Sequence, residues 1–132
     1  MSYVSIRAAI QGLIYGWPNA PIAWDNAPTP KEALEAQSNG DPWVALTILP
    51  GTTITASIGS SPNVRQTGLI AVQVFVKPDT GTIAAYELCD SLAALLQHKQ
   101  SGALETLALS VTRTGEMNGY FQLNATVPYR YN

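Results

Sequence analysis

The chain has 132 residues and a formal net charge of −2; 46% of its residues are apolar and only 12% charged. That length suits a single domain over residues 1–132, large enough to bury one core. The seven basic residues, Arg7, Lys31, Arg65, Lys77, Lys99, Arg113 and Arg130, are scattered, which speaks against a domain that tracks a phosphate backbone and reads DNA sequence.

The charged fraction is about half the usual value of roughly 25%. Much of the surface is therefore neutral, and such surface is often covered by a partner, so a homo-oligomer or larger assembly is expected. Cys89 is the sole cysteine and His98 the sole histidine. An intramolecular disulfide is excluded, and most of a zinc site is missing. The start, MSYVSIRAAIQGLIYGW, lacks the basic beginning and long apolar centre of a secretion signal. No apolar run approaches the ~20 residues of a membrane span. The chain reads as soluble and cytosolic.

In chain order, Tyr3, Ile6, Ile10, Leu13, Ile14 and Trp17 recur at helical spacing and predict a first helix over Ser2–Tyr15, stopped by Gly16 and Pro18. Pro21–Asn26 reads as a short strand. Thr29–Gly40 is polar and alanine-rich, and reads as a loop with at most a helical turn around Lys31–Ala36. Trp43–Leu49 and Thr52–Ile58 alternate as strands on either side of Pro50-Gly51. Gly59-Ser60-Ser61-Pro62-Asn63 is the strongest turn signal. Thr67–Lys77 returns as a strand with Ile70, Val72, Val74 and Val76 on one face. Together these segments predict a long antiparallel hairpin whose outer part projects as an arm.

A second helix is predicted over Thr82–Gln100, with Ala85, Leu88, Cys89, Leu92, Leu95 and Leu96 as its apolar stripe and Ser101-Gly102 as its stop. Two alternating strands follow, Leu107–Thr112 and Phe121–Val127, joined through Gly115–Gly119. The order predicts an α+β fold: one mostly antiparallel twisted sheet, two helices packed on one face, and a long β-hairpin arm.

The chemical candidates are weak. Gly68–Gln97 places a strand, a glycine-bearing turn and a helix in succession, as phosphate sites do. It has one glycine in the turn, and its lysine precedes that turn, so it fits neither a Walker loop nor a dinucleotide fingerprint. Asp79 or Thr80 reads as a helix cap and Gly81 as the residue that relaxes the turn. His98 falls near a helix C-terminus, where a cation is favoured, and no nucleophile elbow accompanies it. Cys89 lies on the buried stripe, where a small core residue is expected rather than a reactive thiolate. Asp25, Asp41, Asp79 and Asp90 form no paired or metal-binding pattern. Trp17 is assigned to the core, and Trp24 and Trp43 to the core or an interface. No catalytic, cofactor-binding or metal residues are assigned, and no cofactor is expected.

Five phrases taken in order carry a resemblance: SIRAAIQGLI, PIAWDNAP, WVALTILPGTTITASIGSSPNVRQTGLIAVQVFVKPDTGT, AAYELCDSLAALLQ and GYFQLNATVPYRY. The chain resembles the tail terminator (tail completion) proteins of long-tailed bacteriophages over nearly its whole length. The central phrase is the most specific: a strand, a small-polar loop, an Arg before Thr-Gly, and a strand ending in Pro-Asp-Thr-Gly-Thr. The resemblance implies a structural virion protein, not an enzyme. It implies a homo-oligomeric ring, usually a hexamer, that ends polymerisation of the tail tube and offers a surface for head–neck connector proteins. DNA passes through the lumen, no membrane is involved, and the protein sits at the head-proximal end of the tail after assembly in the host cytoplasm.

A related head–tail joining or neck protein is the alternative. A small hydrolase using His98 as base, or a binding module using its tryptophans, stands further off. The expected subunit contact is the hairpin arm, with Thr53, Thr55, Ser57, Ser60, Asn63 and Arg65. Open strand edges near Tyr129 and Tyr131 are expected to add pairing to a neighbour.

Overall fold

The computed structural model describes residues 3–15, 17–24, 27–55, 59, 64–78, 81–117 and 119–131. The first helix, α1, spans Tyr3–Ile14 and buries Ile6, Ile10 and Ile14. These lie four residues apart, so they stack on one face. A short strand β1, Ile22–Trp24, leads to a helix α2, Lys31–Asn39. Two long strands follow, β2 (Trp43–Thr55) and β3 (Val64–Val76), then α3 (Ile83–Leu96). A small hairpin of β4 (Gln100–Ser101) and β5 (Leu104–Thr106) precedes β6 (Ser110–Met117) and β7 (Tyr120–Tyr131).

All seven strands form one sheet in the order β1-β2-β3-β7-β5-β4, with β6 also on β7. Only the β1–β2 pair is parallel. The predicted α+β architecture with a mostly antiparallel sheet is what the chain adopts. α1 and α3 share one face of the sheet. There Val44 and Leu46 of β2, Ile70, Val72, Val74 and Val76 of β3, and Leu123, Ala125 and Val127 of β7 meet the isoleucines of α1 and Ala85, Leu88, Cys89, Leu92 and Leu96 of α3. Period-two burial on the strands and period-3.6 burial on the helices converge on this one layer.

The helix α2 departs from the expectation of a loop. Its buried face is only Ala33 and Ala36, so it carries no bulky stripe that periodicity would reveal. Its stop is local: Gly40 has φ 75°, and the Gly40 and Asp41 N–H groups both return to the Ala36 carbonyl. α2 sits at one end of the sheet's other face. There Trp43 stacks on Phe75 with ring centroids 4.3 Å apart, and the Tyr120 hydroxyl donates to the Gln37 carbonyl at 3.3 Å.

The two strands expected on either side of Pro50-Gly51 are one strand. The β2–β3 ladder runs unbroken from Trp43↔Phe75 to Pro50↔Gly68, shifts, and resumes at Thr53↔Gln66. β2 gains one extra residue there, which makes a bulge. β1 covers β2 only at Val44–Leu46, so Pro50 lies on an open stretch of edge, where a missing N–H is tolerated. Gly68, opposite, is required by close packing. A Cβ on it would lie 2.5 Å from both the Leu49 carbonyl oxygen and the Tyr129 hydroxyl.

The second predicted helix is shorter than expected, ending at Leu96 rather than Gln100. The Thr106 hydroxyl donates to the Leu96 carbonyl at 2.5 Å and accepts from the Lys99 N–H at 2.7 Å. This buried side chain satisfies a helix-end carbonyl from a distant strand. His98 follows with φ 52°, and its N–H donates to the Leu107 carbonyl. The strand expected over Leu107–Thr112 is displaced to Ser110–Met117, and Leu107 and Val111 are exposed. Gly115, placed in the connecting loop by sequence, instead takes φ 87° at a bulge against β7.

Candidate assembly surface

Beyond the bulge, β2 and β3 continue as an arm. Thr52–Thr55 and Val64 are exposed on it, including the apolar Ile54 and Val64 at 46% and 37%. Thr55 pairs with Val64, Ile54 with Arg65 and Thr53 with Gln66. The structure thus brings Thr53, Thr55 and Arg65 together on one hairpin. Ser57, Ser60 and Asn63 lie outside the described residues.

Tyr131 joins the same place, because Gln66 pairs with Thr53 on one side and Tyr131 on the other. Its backbone is not an open edge. β7 is a central strand, paired with β3 along one side and with β5 and β6 along the other. Tyr129 is 2% exposed, filling the space over Gly68. The expected free edge at Tyr129–Tyr131 is therefore taken within the chain. The short strand β5, Leu104–Thr106, occupies it. Burial pushes the Tyr129 phenol pKa up, and the Tyr3 phenol adds to this.

Residues that sequence did not single out fix the arm's base. The Tyr3 hydroxyl, from the first turn of α1, lies 3.3 Å from the Thr53 hydroxyl. Thr53 and then Gln66 hydrogen-bond this phenol and hold its pKa below the ordinary value. Gln66 is 4% exposed, and its Oε1 has no partner among the described residues. On the opposite face Arg130 grips Glu105 with two hydrogen bonds, Nη2 to Oε1 at 2.8 Å and Nε to Oε2 at 3.1 Å. The Arg130 hydrogen bond holds the Glu105 carboxyl below the usual carboxylate range against desolvation, and the charges of Arg130 and then Arg65 add to the lowering. Glu105 and Arg130 are far apart in sequence, and only the β5–β7 register unites them.

The chemical candidates settle into structural surroundings. His98 lines a shallow groove with Glu105 and Thr106, but the Thr106 hydroxyl is committed to the Leu96 carbonyl. Cys89 is buried, and burial, with the Asp90 charge second, raises its pKa and disfavours the thiolate. Gly81 has φ 84°, in keeping with its role in the turn, while Asp79 and Thr80 lie outside the described residues. The Trp17 indole donates to the Ser91 hydroxyl at 2.8 Å at the core's edge, and Arg7 lies over the Trp24 ring at 5.3 Å. An open groove of ≈ 460 Å³ between Pro18–Pro21 and α2 carries Glu32, Glu35 and Asp41. Among the described residues no cluster suits a metal ion, and no helix is long and apolar enough to cross a membrane.

Comparison with known proteins gives the lineage. A solved structure whose name states no function superposes with a TM-score of 0.71 at 20% identity, covering 100% of this chain and 96% of that one. It shows the fold alone. Among curated proteins none matches. The family described as phage tail terminator protein matches residues 5–129, from the first turns of α1 to the central strand β7. With core, arm and closing strand all inside that span, this chain belongs to the phage tail terminator family.

Proposed function

We propose that the chain forms a ring that caps the phage tail tube, ends tube polymerisation and presents the surface on which the head–neck connector proteins dock. It would do this at the head-proximal end of the tail, after assembly in the host cytoplasm, with DNA passing through the lumen. A phage tail role follows from family membership. The observation that carries the finer reading is the arm: the pairs Ile54↔Arg65 and Thr55↔Val64 extend β2 and β3 beyond the last β3–β7 pair and expose Ile54 and Val64 to solvent. Exposed apolar residues on a projecting hairpin suit contact with another copy. Thr53, Thr55 and Arg65 would contribute from the described part of the arm, with Tyr131 at its base, and Ser57, Ser60 and Asn63, outside the described residues, are proposed to join them. A hexamer is the ring size this reading favours, and the role is structural rather than catalytic.

The test replaces Thr55–Arg65 by a two-residue turn and measures mass by light scattering at several concentrations. Loss of the ring with the thermal transition retained supports the arm as the contact. A shortened chain that still forms full rings removes it. Added to polymerising tube protein, the wild-type ring should give tubes capped at one end.

A further inference from the structure

Beyond Gln66 the arm is a ribbon of two strands. Gln66↔Tyr131 is the outermost described pair between β3 and β7. Ile54↔Arg65 and Thr55↔Val64 continue the β2–β3 ladder with no third strand among the described residues. A lone two-stranded ribbon is marginally stable in water, so the arm depends on its base. That base contains the bulge. Gly51 and Thr52 stand opposite the single residue Thr67, and the Thr67 hydroxyl donates to the Thr52 carbonyl at 2.7 Å. A bulge bends its strand and interrupts the ladder, which makes this the natural hinge.

α1 reaches this hinge from a distant part of the chain. Tyr3, in its first turn, places its hydroxyl 3.3 Å from the Thr53 hydroxyl, and Gln66 also hydrogen-bonds this oxygen. Thr53 and Gln66 are cross-strand partners, so one phenol holds both strands at the first pair past the bulge. Tyr3 is 54% exposed, so little apolar burial backs the contact and its hydrogen bonds decide it. Gln66 is 4% exposed, yet its Oε1 has no partner among the described residues. A buried acceptor without a partner disfavours the state that buries it.

We propose that Tyr3 is a latch on a hinged arm: its hydroxyl, held by Thr53 and Gln66, fixes the arm to α1, and the arm swings at the Pro50–Thr53 bulge when those bonds open. Two opposing effects set the balance. The hydrogen bonds favour the latched arm, and hydration of the Gln66 Oε1 favours the open one. The latch therefore closes with a small net preference, as local opening of a functional element requires. α1 thereby governs the direction in which Ile54 and Val64 are presented. The latch lies within one chain, and its test stands whether or not copies form a ring.

The test is amide hydrogen exchange, read by mass spectrometry, on the full chain and on Tyr3→Phe, Thr53→Val, their double variant and Gln66→Met. All are compared at one particle size by light scattering, and circular dichroism melts establish that each is folded. Tyr3→Phe should speed exchange in residues 52–55 and 64–66 by roughly fivefold or more, the loss expected for one hydrogen bond. Residues 70–76 and 121–127 should be unchanged. Thr53→Val should act likewise, and the double variant should add less than the sum of the two, because both remove the same bond. Gln66→Met keeps the bulk and removes the orphaned oxygen, so it should slow exchange in the arm. Arm exchange in Tyr3→Phe equal to wild type overturns the latch. So does a rise shared equally by the arm and residues 70–76, which marks a general loss of stability. Faster arm exchange in Gln66→Met overturns the release, since the buried oxygen then exerts no pull toward the open arm.

Discussion

The two faces of the sheet obey different rules. Beneath α1 and α3 the strand residues are Val, Ile, Leu and Ala, nearly all fully buried, with Phe121 and Tyr129 toward the ends. On the other face the same strands present Thr47, Ala71, Gln73, Asn124 and Thr126, broken by the paired Leu49 and Leu69, and the Trp43–Phe75–Tyr120 end lies near α2. One backbone ladder therefore serves two purposes. The covered face supplies apolar burial, where a lost methylene leaves a cavity. The open face gains less from burial and should tolerate change better.

This contrast can be broken in graded steps. The largest effect is expected at the covered face. Leu92→Ala on α3, where Leu92 is 0% exposed, should cost about 2–5 kcal/mol in urea unfolding. Gly68→Ala comes next, at about 1–3 kcal/mol by the same measurement, because the new Cβ meets a backbone carbonyl that cannot move aside. Adding Tyr129→Phe should recover only the part due to the hydroxyl.

Thr106→Val tests the helix stop. Losing its bonds to the Leu96 carbonyl and the Lys99 N–H should cost about 1 kcal/mol for each bond. It should also speed amide exchange around His98 more than in α1. The smallest effect belongs to the open face. Glu105→Gln should change stability little at neutral pH, since the Arg130 pair is solvent-exposed. The pH sign is fixed: the folded carboxyl titrates below its unfolded value. Its contribution is present above the ordinary carboxylate range and lost as pH falls through the lower folded value. The variant should therefore show a slightly flatter acid limb in a melt series. An unfolding cost above that of Leu92→Ala would abolish the contrast between the faces.

Much of this was legible in the residues. Val44/Leu46, Ile70–Val76 and Leu123–Val127 alternate, and Ile6/Ile10/Ile14 and Leu88/Leu92/Leu96 recur at helical spacing, so the covered face declared itself. α2 did not, because two alanines are too small to mark a face. The arm was visible as a hairpin, but its union with the body was not. Pro50-Gly51 looked like a break, and only pairing with β3 made it a bulge. The edge at Tyr129–Tyr131 looked open because the strand that closes it is three residues long and β5 alone has no periodicity.

Sequence by itself determined the class of fold, the apolar layer and the resemblance carried by its central phrases, because these depend on local period and residue type. Tertiary structure alone decided which edges are free, why Gly68 must lack a side chain, how Thr106 ends α3, and that Glu105 meets Arg130. Each of these depends on strand register, which brings together residues remote in the chain through hydrogen bonds that no local window contains.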